Sequence, residues 1–498
     1  MTITAAGKGA YRMATTSQFV TSRENLSDLQ RQLSTQQRST TYGGLGIDRR
    51  ISLDINAKLS AIESWQAGIE RTQVHLKLQA QAVESIATLA SGTRTDVSTS
   101  SYIPMTGGRT GPQILAEDKL SQAIDLLNID ANGRYLFSGR KTDEKPAMSG
   151  PVILYGDGAG KAGLKQLISE RAAADGVTTV SAPMARPTGR LIVEPAANNV
   201  VTLTRDAVDE AYGFKVESIQ FGTGAPATPT GVPPSVSLTF ATQPEPGDTA
   251  YVKLSLPDGS SRTLAFTANA STGSSFSIGA DTNQTAASLR SAMGDALARE
   301  AQTSLKAASA VWTAEDFFNS SSPGRVDPPY AAAPAGRDAD TVLWYNGDTG
   351  APDDARTTST IQVDKTQTVP VGTQANEGAI TRALSQLAVF ALVTFPQGEE
   401  HAEAGYYALT ERVRDNLTYD DVQQPSEILT QLGGAQNALK MADERHEATK
   451  SYLQTTVAKI EQVDTSEVAV QILALQNSLE ASYRVTSILA ELSLTKYL

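Results

Sequence analysis

The chain has 498 residues, a net charge of −12 from 42 Lys and Arg against 54 Asp and Glu, three histidines and no cysteine. One core rarely exceeds about 250–300 residues, so several domains are expected. The acidic balance argues against nucleic acid or an anionic membrane as the main partner, and the missing thiols exclude disulfides, thiolate nucleophiles and cysteine-bound metals.

In the first fifty residues Phe19, Leu26, Leu29 and Leu33 recur at seven, three and four, and Gly43, Gly44 and Gly46 follow. This predicts one helix, a hinge, and a restart at about Ile47. The opening MTITAAGKGAYRMATTSQF is too polar for a cleavable signal peptide, and no run of about 18 apolar residues exists to span a membrane. From Ile55 an apolar residue returns every seventh position as Ile62, Ile69, Leu76 and Val83, with Ala90 continuing the row. That is a coiled-coil seam, and so narrow a stripe needs partner helices. Residues 93–112 read as a polar connection, 114–128 as a third helix, and 129–146 as a turn at Asn132 and Gly133 followed by a strand.

Proline marks the insert: 18 of the 22 fall between Pro146 and Pro370. Within it SVSLTF, YVKLSL and RTLAFTA alternate apolar and polar residues, and PDGS joins the last two as a hairpin turn. Helical interruptions are expected at 161–175 and 285–305. The helical pattern resumes with ITRALSQLAVFALVTF and YYALTERVRDNL. It ends with a second seven-residue row, Leu432, Leu439, His446, Leu453 and Ile460, after which Val468, Ile472, Leu475 and Leu479 follow at four, three and four.

The expected fold is α+β and multi-domain: a long antiparallel coiled-coil-like rod formed by both termini, with a mainly β insert. Residues 1–50 with 456–498 would form a terminal assembly domain, 51–140 with 375–455 the rod, and 141–374 the insert, divided near 215–235. The candidate assembly interface is Ile55, Ile62, Ile69, Leu76, Val83, Leu439, Leu453, Ile460, Val468, Ile472, Leu475, Leu479, Tyr483, Leu489 and Leu492.

No motif promises catalysis, so an enzyme is not expected, nor is a cofactor or metal. GDGAGKAG (156–163) has the spacing GxGxGK, short of a phosphate loop, and Ala162 stands where a Mg²⁺-binding hydroxyl belongs. NIDANGRYLFSG places Gly133 at position six of a calcium loop but Gly139 where the bidentate Glu should be. His75, His401 and His446 lie far apart in sequence and read as surface or seam residues. Trp65 reads as a packing residue, and Trp312 and Trp344 as anchors of the insert's core.

The last stretch, ILALQNSLEASYRVTSILAELSLTKYL (472–498), resembles the carboxyl end of the flagellin superfamily through Leu475, Gln476, Leu479, Ala481, Ser482, Tyr483, Leu492, Ser493, Leu494, Tyr497 and Leu498. NGRYLFSGRKTDEKP (132–146) and LWYNGDTG are similar to the hook–filament junction members of that superfamily. The resemblance implies an unfolded passage through the flagellar type III export channel with an export chaperone, and self-assembly into a ring or tube outside the cell. The neighbours would be another hook-associated protein and flagellin. Its alternatives are a filament flagellin and a secreted rod-shaped adhesin.

Overall fold

The computed structural model describes residues 4–105, 107–178, 187–194, 198–269, 275–350 and 354–494, with side chains of the terminal helices from 17 to 488. Helix α1 (Thr4–Thr35) is followed by a 3₁₀ turn (Tyr42–Asp48), α2 (Arg49–Thr99) and α3 (Gly111–Leu127). The hairpin β1 (Asp130–Ala131) and β2 (Arg134–Tyr135), then α4 (Gly150–Tyr155) and α5 (Leu164–Ala174), lead to β3 (Leu191–Val193), β4 (Val200–Arg205), β5 (Lys215–Phe221), β6 (Ser235–Thr239), β7 (Thr249–Ser255), β8 (Ser261–Ala268) and β9 (Ser275–Phe276). Helices α6 (Thr282–Glu300) and α7 (Lys306–Asn319) flank a π-helical turn. Strands β10 (Gly324–Arg325), β11 (Ala335–Gly336), β12 (Thr360–Gln362) and β13 (Thr368–Pro370) precede α8 (Gly378–Leu392), α9 (Ala402–Asn416), α10 (Pro425–Glu461) and α11 (Thr465–Leu494).

The chain divides into two compact units, one of Met1–Arg71, Ile361–Val369 and Asn437–Leu498, the other of Thr72–Thr360 and Pro370–Gln436. In the first, α1 packs against α11. The glycine hinge is real: Gly46 has φ 58° and ψ −123°, a conformation that costs a residue with a Cβ far more. The helix restarts at Arg49, and the predicted polar connection at 93–112 is helical as far as Thr99. Nothing between 93 and 99 breaks a helix, because the Thr and Ser hydroxyls there donate back to carbonyls four residues earlier.

In the second unit α8 is buried at every position from Ala379 to Leu392, and α3 and α7 pack against it. The buried Arg382 of α8 is paired with Glu315 and Asp421, and a helix buried on all sides belongs at the centre of a core. The sheets β3-β4-β6 and β5-β7-β8-β9 are joined by α6, whose Leu289, Met293 and Leu297 share one core with Leu203, Phe214, Val252 and Phe266. The stretch 215–235, expected to divide the insert, holds β5, whose Ile219 belongs to this same core. Of the expected interruptions, 161–175 contains α5 and 285–305 is α6 with its π turn; α7 was not anticipated. Its buried residues include Ser309 and Thr313 beside the apolar ones, so the burial of α7 is not confined to one apolar face.

Candidate assembly surface

On α11, Val468, Ile472 and Leu479 are buried and Leu475 is half-buried, at the expected spacing of four, three and four. This stripe carries the packing against α1, and Phe19 of α1 stacks on Tyr483 with ring centroids 5.4 Å apart. The Asp464 carboxylate accepts the N–H of Ser466 at 2.8 Å and of Glu467 at 3.3 Å, satisfying two of the free amides that begin α11. Backbone pairing holds the far end of α1 to the start of α11: the Arg38 N–H donates to the Glu461 carbonyl at 2.7 Å, and the Val463 N–H to that of Gln36 at 3.2 Å.

Helix α2 runs antiparallel to α10 in the same unit. Ser52 and Asn56 both donate to the Glu461 carboxylate, Lys450 pairs with Glu63 at 3.3 Å, and the Gln66 amide donates to Asp443 at 3.2 Å and Glu447 at 3.3 Å. Between these polar ties Ile55, Ile62 and Ile69 are buried on α2 and Leu439 on α10, while Leu453 and Ile460 are half-buried. His446 is buried in the seam, stacked on Trp65 at 5.4 Å with its Nε2 2.6 Å from the Val363 carbonyl, so the β12–β13 loop rests on this pair. Leu76 and Val83 are buried in the second unit, where Gln79 beside them donates to the Leu136 carbonyl at 2.9 Å. Tyr483 remains more than half exposed despite its stacking partner, and the side chains of Leu489 and Leu492 lie outside the described residues.

What sequence periodicity missed is a second apolar face. Val470, Leu473, Val485 and Ile488 are all exposed, Val470 by 65 %. At about 100° per residue they fall on the side of α11 away from the Val468 stripe. In the same unit Val20 and Leu33 on α1, Ile47 in the hinge (94 % exposed), Ile51 and Leu53 at the start of α2, and Tyr452 on α10 are also exposed. The signal was available: the apolar residues of α11 left out of the four-three-four row are numerous enough to form their own face.

The motifs weighed for chemistry resolve into turns. The Asp157 carboxylate accepts the N–H of Ala159 at 2.8 Å and of Lys161 at 2.9 Å, so an acid of the chain itself fills the glycine loop where a phosphate would sit. Those amides hold its pKa below the ordinary carboxylate value. Asn132 and Gly133, at φ 56° and 75°, form the two-residue turn between β1 and β2 that this pair of conformations favours. Among the described residues no group of three His, Cys, Asp or Glu side chains could hold a metal ion, and no helix is long and apolar enough to cross a membrane. Trp344 is buried and donates its indole N–H to the Phe318 carbonyl at 2.9 Å; Trp312 is half-buried under the Arg171 guanidinium, 4.0 Å from its ring.

The segments 132–146 and 343–350 meet in the second unit. Arg140 pairs with Asp348 at 2.5 Å, the Asn346 N–H donates to the Pro146 carbonyl at 2.8 Å, and the Met148 N–H to that of Trp344 at 2.9 Å. The Arg140 hydrogen bonds hold the Asp348 carboxyl below its usual pKa.

No curated protein matches the chain. Residues 418–498, which include all of α10 and α11, match the family described as the bacterial flagellin C-terminal helical region. Over this carboxyl-terminal stretch the chain is similar to bacterial flagellins.

Proposed function

We propose that this chain is a structural adaptor of the bacterial flagellum that forms a short layer between the hook side and the flagellin filament. The observation that carries assembly is the second apolar face of α11, which lies within the flagellin-type region and opposite the stripe that packs on α1. An exposed face of this kind on a helix already partnered once fits burial against a neighbouring subunit. The junction position is supported by the resemblance of residues 132–146 and of LWYNGDTG to junction members, segments that the Arg140–Asp348 pair ties together. The assembly interface then comprises Val468, Ile472, Leu475, Leu479, Tyr483, Leu489 and Leu492 with the exposed residues of the outer face, and the buried α2–α10 row supports it. The partners are copies of the chain, a neighbouring hook-associated protein, flagellin and an export chaperone. The protein works outside the cell and performs no catalysis.

A strain lacking the protein tests this reading. A junction adaptor leaves hooks without filaments while flagellin accumulates in the medium. Bare hooks with no flagellin in the medium would instead make the chain the filament subunit, the alternative that the flagellin C-terminal match equally accommodates. Normal filaments would reject both.

A further inference from the structure

The outer face of α11 starts with the exposed Val470 and Leu473, one turn beyond Glu467. The Glu467 carboxylate is exposed, accepts the Gln471 amide at 3.1 Å and forms no ion pair among the described residues. Asp464, also exposed, stands just before it. The hinge in the same unit carries the converse pattern. Ile47, Ile51 and Leu53 are exposed there, and Arg49 and Arg50, exposed between them, form no ion pair among the described residues. A single exposed aliphatic needs no explanation, but three in one short stretch mark a surface built to be covered.

Both surfaces lie in one compact unit and both stay exposed, so neither covers the other within a chain. Ser52 donates to the Glu461 carboxylate and the Arg38 N–H to the Glu461 carbonyl, which sets the hinge and the start of α11 at the same end of that unit. Copies standing side by side therefore bring the hinge of one level with the α11 of the next. Charge selects the occupant: pairing two outer faces gives Asp464 and Glu467 no cation at this end of the helix, whereas the hinge supplies two. The apolar parts match as well, aliphatic against aliphatic, with the charges at the rim.

We propose that the hinge of a second copy covers the outer face of α11, with Ile47 and Ile51 against Val470 and Leu473 and Arg50 against Glu467. The contact rests on the reading that copies of the chain self-assemble. It is heterologous: each copy lends its hinge to one neighbour and its α11 to the other, an arrangement that closes a ring or winds a tube. The chain has no cysteine, so introduced thiols are the only ones. Full-length Ile47→Cys and Val470→Cys copies, tagged differently, are mixed at a concentration where sedimentation shows association and treated with a short bismaleimide. Docking predicts at least about tenfold more mixed dimer than Ile47→Cys gives with Met441→Cys, a comparably exposed position on α10. Arg50→Glu on the first copy should cut that yield about threefold, and Glu467→Arg on the second should restore it. All the substituted side chains are exposed, and circular dichroism verifies that each variant is folded. Association without that excess, or an excess that the charge changes leave untouched, would overturn this contact and leave self-assembly standing. Absence of any association would overturn both.

Discussion

Ile69 is 1 % exposed at the middle of the α2 row, whereas Val74, five residues along the same helix, is 55 % exposed. A carboxylate at Ile69 loses burial worth about 1.5–3 kcal/mol and adds the cost of desolvating a charge. Ile69→Asp should therefore lower the denaturant midpoint severely, while Val74→Asp should stay within about 0.5 kcal/mol of the parent. Equal midpoints would place the seam on the wrong face. Thr72, which the heptad assigns to water or the seam's edge, is half-buried and makes an interaction of its own, so it is a weaker control. The heptad made Ile69 legible because every seventh residue is aliphatic. The buried state of His446 was not legible, because its acceptor, the Val363 carbonyl, arrives from a loop 83 residues away in the chain.

Asp348 gives a residue-scale pH prediction with a definite sign. Its native pKa lies below the ordinary 3.8, first because Arg140 hydrogen-bonds its charged form. The stability it contributes is present above the unfolded value and is lost as pH falls through the lower native value. Asp348→Asn should thus be less stable than the parent at neutral pH and converge on it at the acid end of a urea-midpoint series. A deficit constant across pH would assign the loss to packing instead of charge.

At the scale of elements, the two faces of α11 predict separable phenotypes. Leu479→Ala removes a buried side chain from the α1–α11 pair and should cost about 2 kcal/mol locally, read as faster hydrogen exchange in both helices. Leu473→Ser, on the exposed face, should leave that exchange unchanged and block polymerisation. If Leu473→Ser polymerises normally, the outer face is not an assembly surface. Deletion of residues 475–498 should leave the insert folded and the protein exported but abolish assembly. The four-three-four stripe of α11 was legible because a single-faced period is what pattern reading detects. The outer face escaped because Val470, Leu473, Val485 and Ile488 lie outside the four-three-four row and leave a gap of twelve residues between their two pairs. The β1–β2 turn was legible from Asn132 and Gly133 alone, a local signal, whereas α7 was hidden by being buried on nearly all sides.

At the scale of the whole molecule, the outline of helical ends around an insert rich in β-structure was readable from where proline falls, because proline forbids a helix interior and glycine and proline punctuate strands. How the insert packs was not readable, since Leu203 and Phe214 meet Leu289 and Met293 across long sequence separations that no window samples. The central claim is that this chain is a flagellar subunit confined to the junction between hook and filament. Immunogold electron microscopy of isolated flagella, with antibody raised against the insert, tests it most directly. The adaptor account predicts a single narrow band of gold where the filament meets the hook; gold along the whole filament, or none on the flagellum, would contradict it.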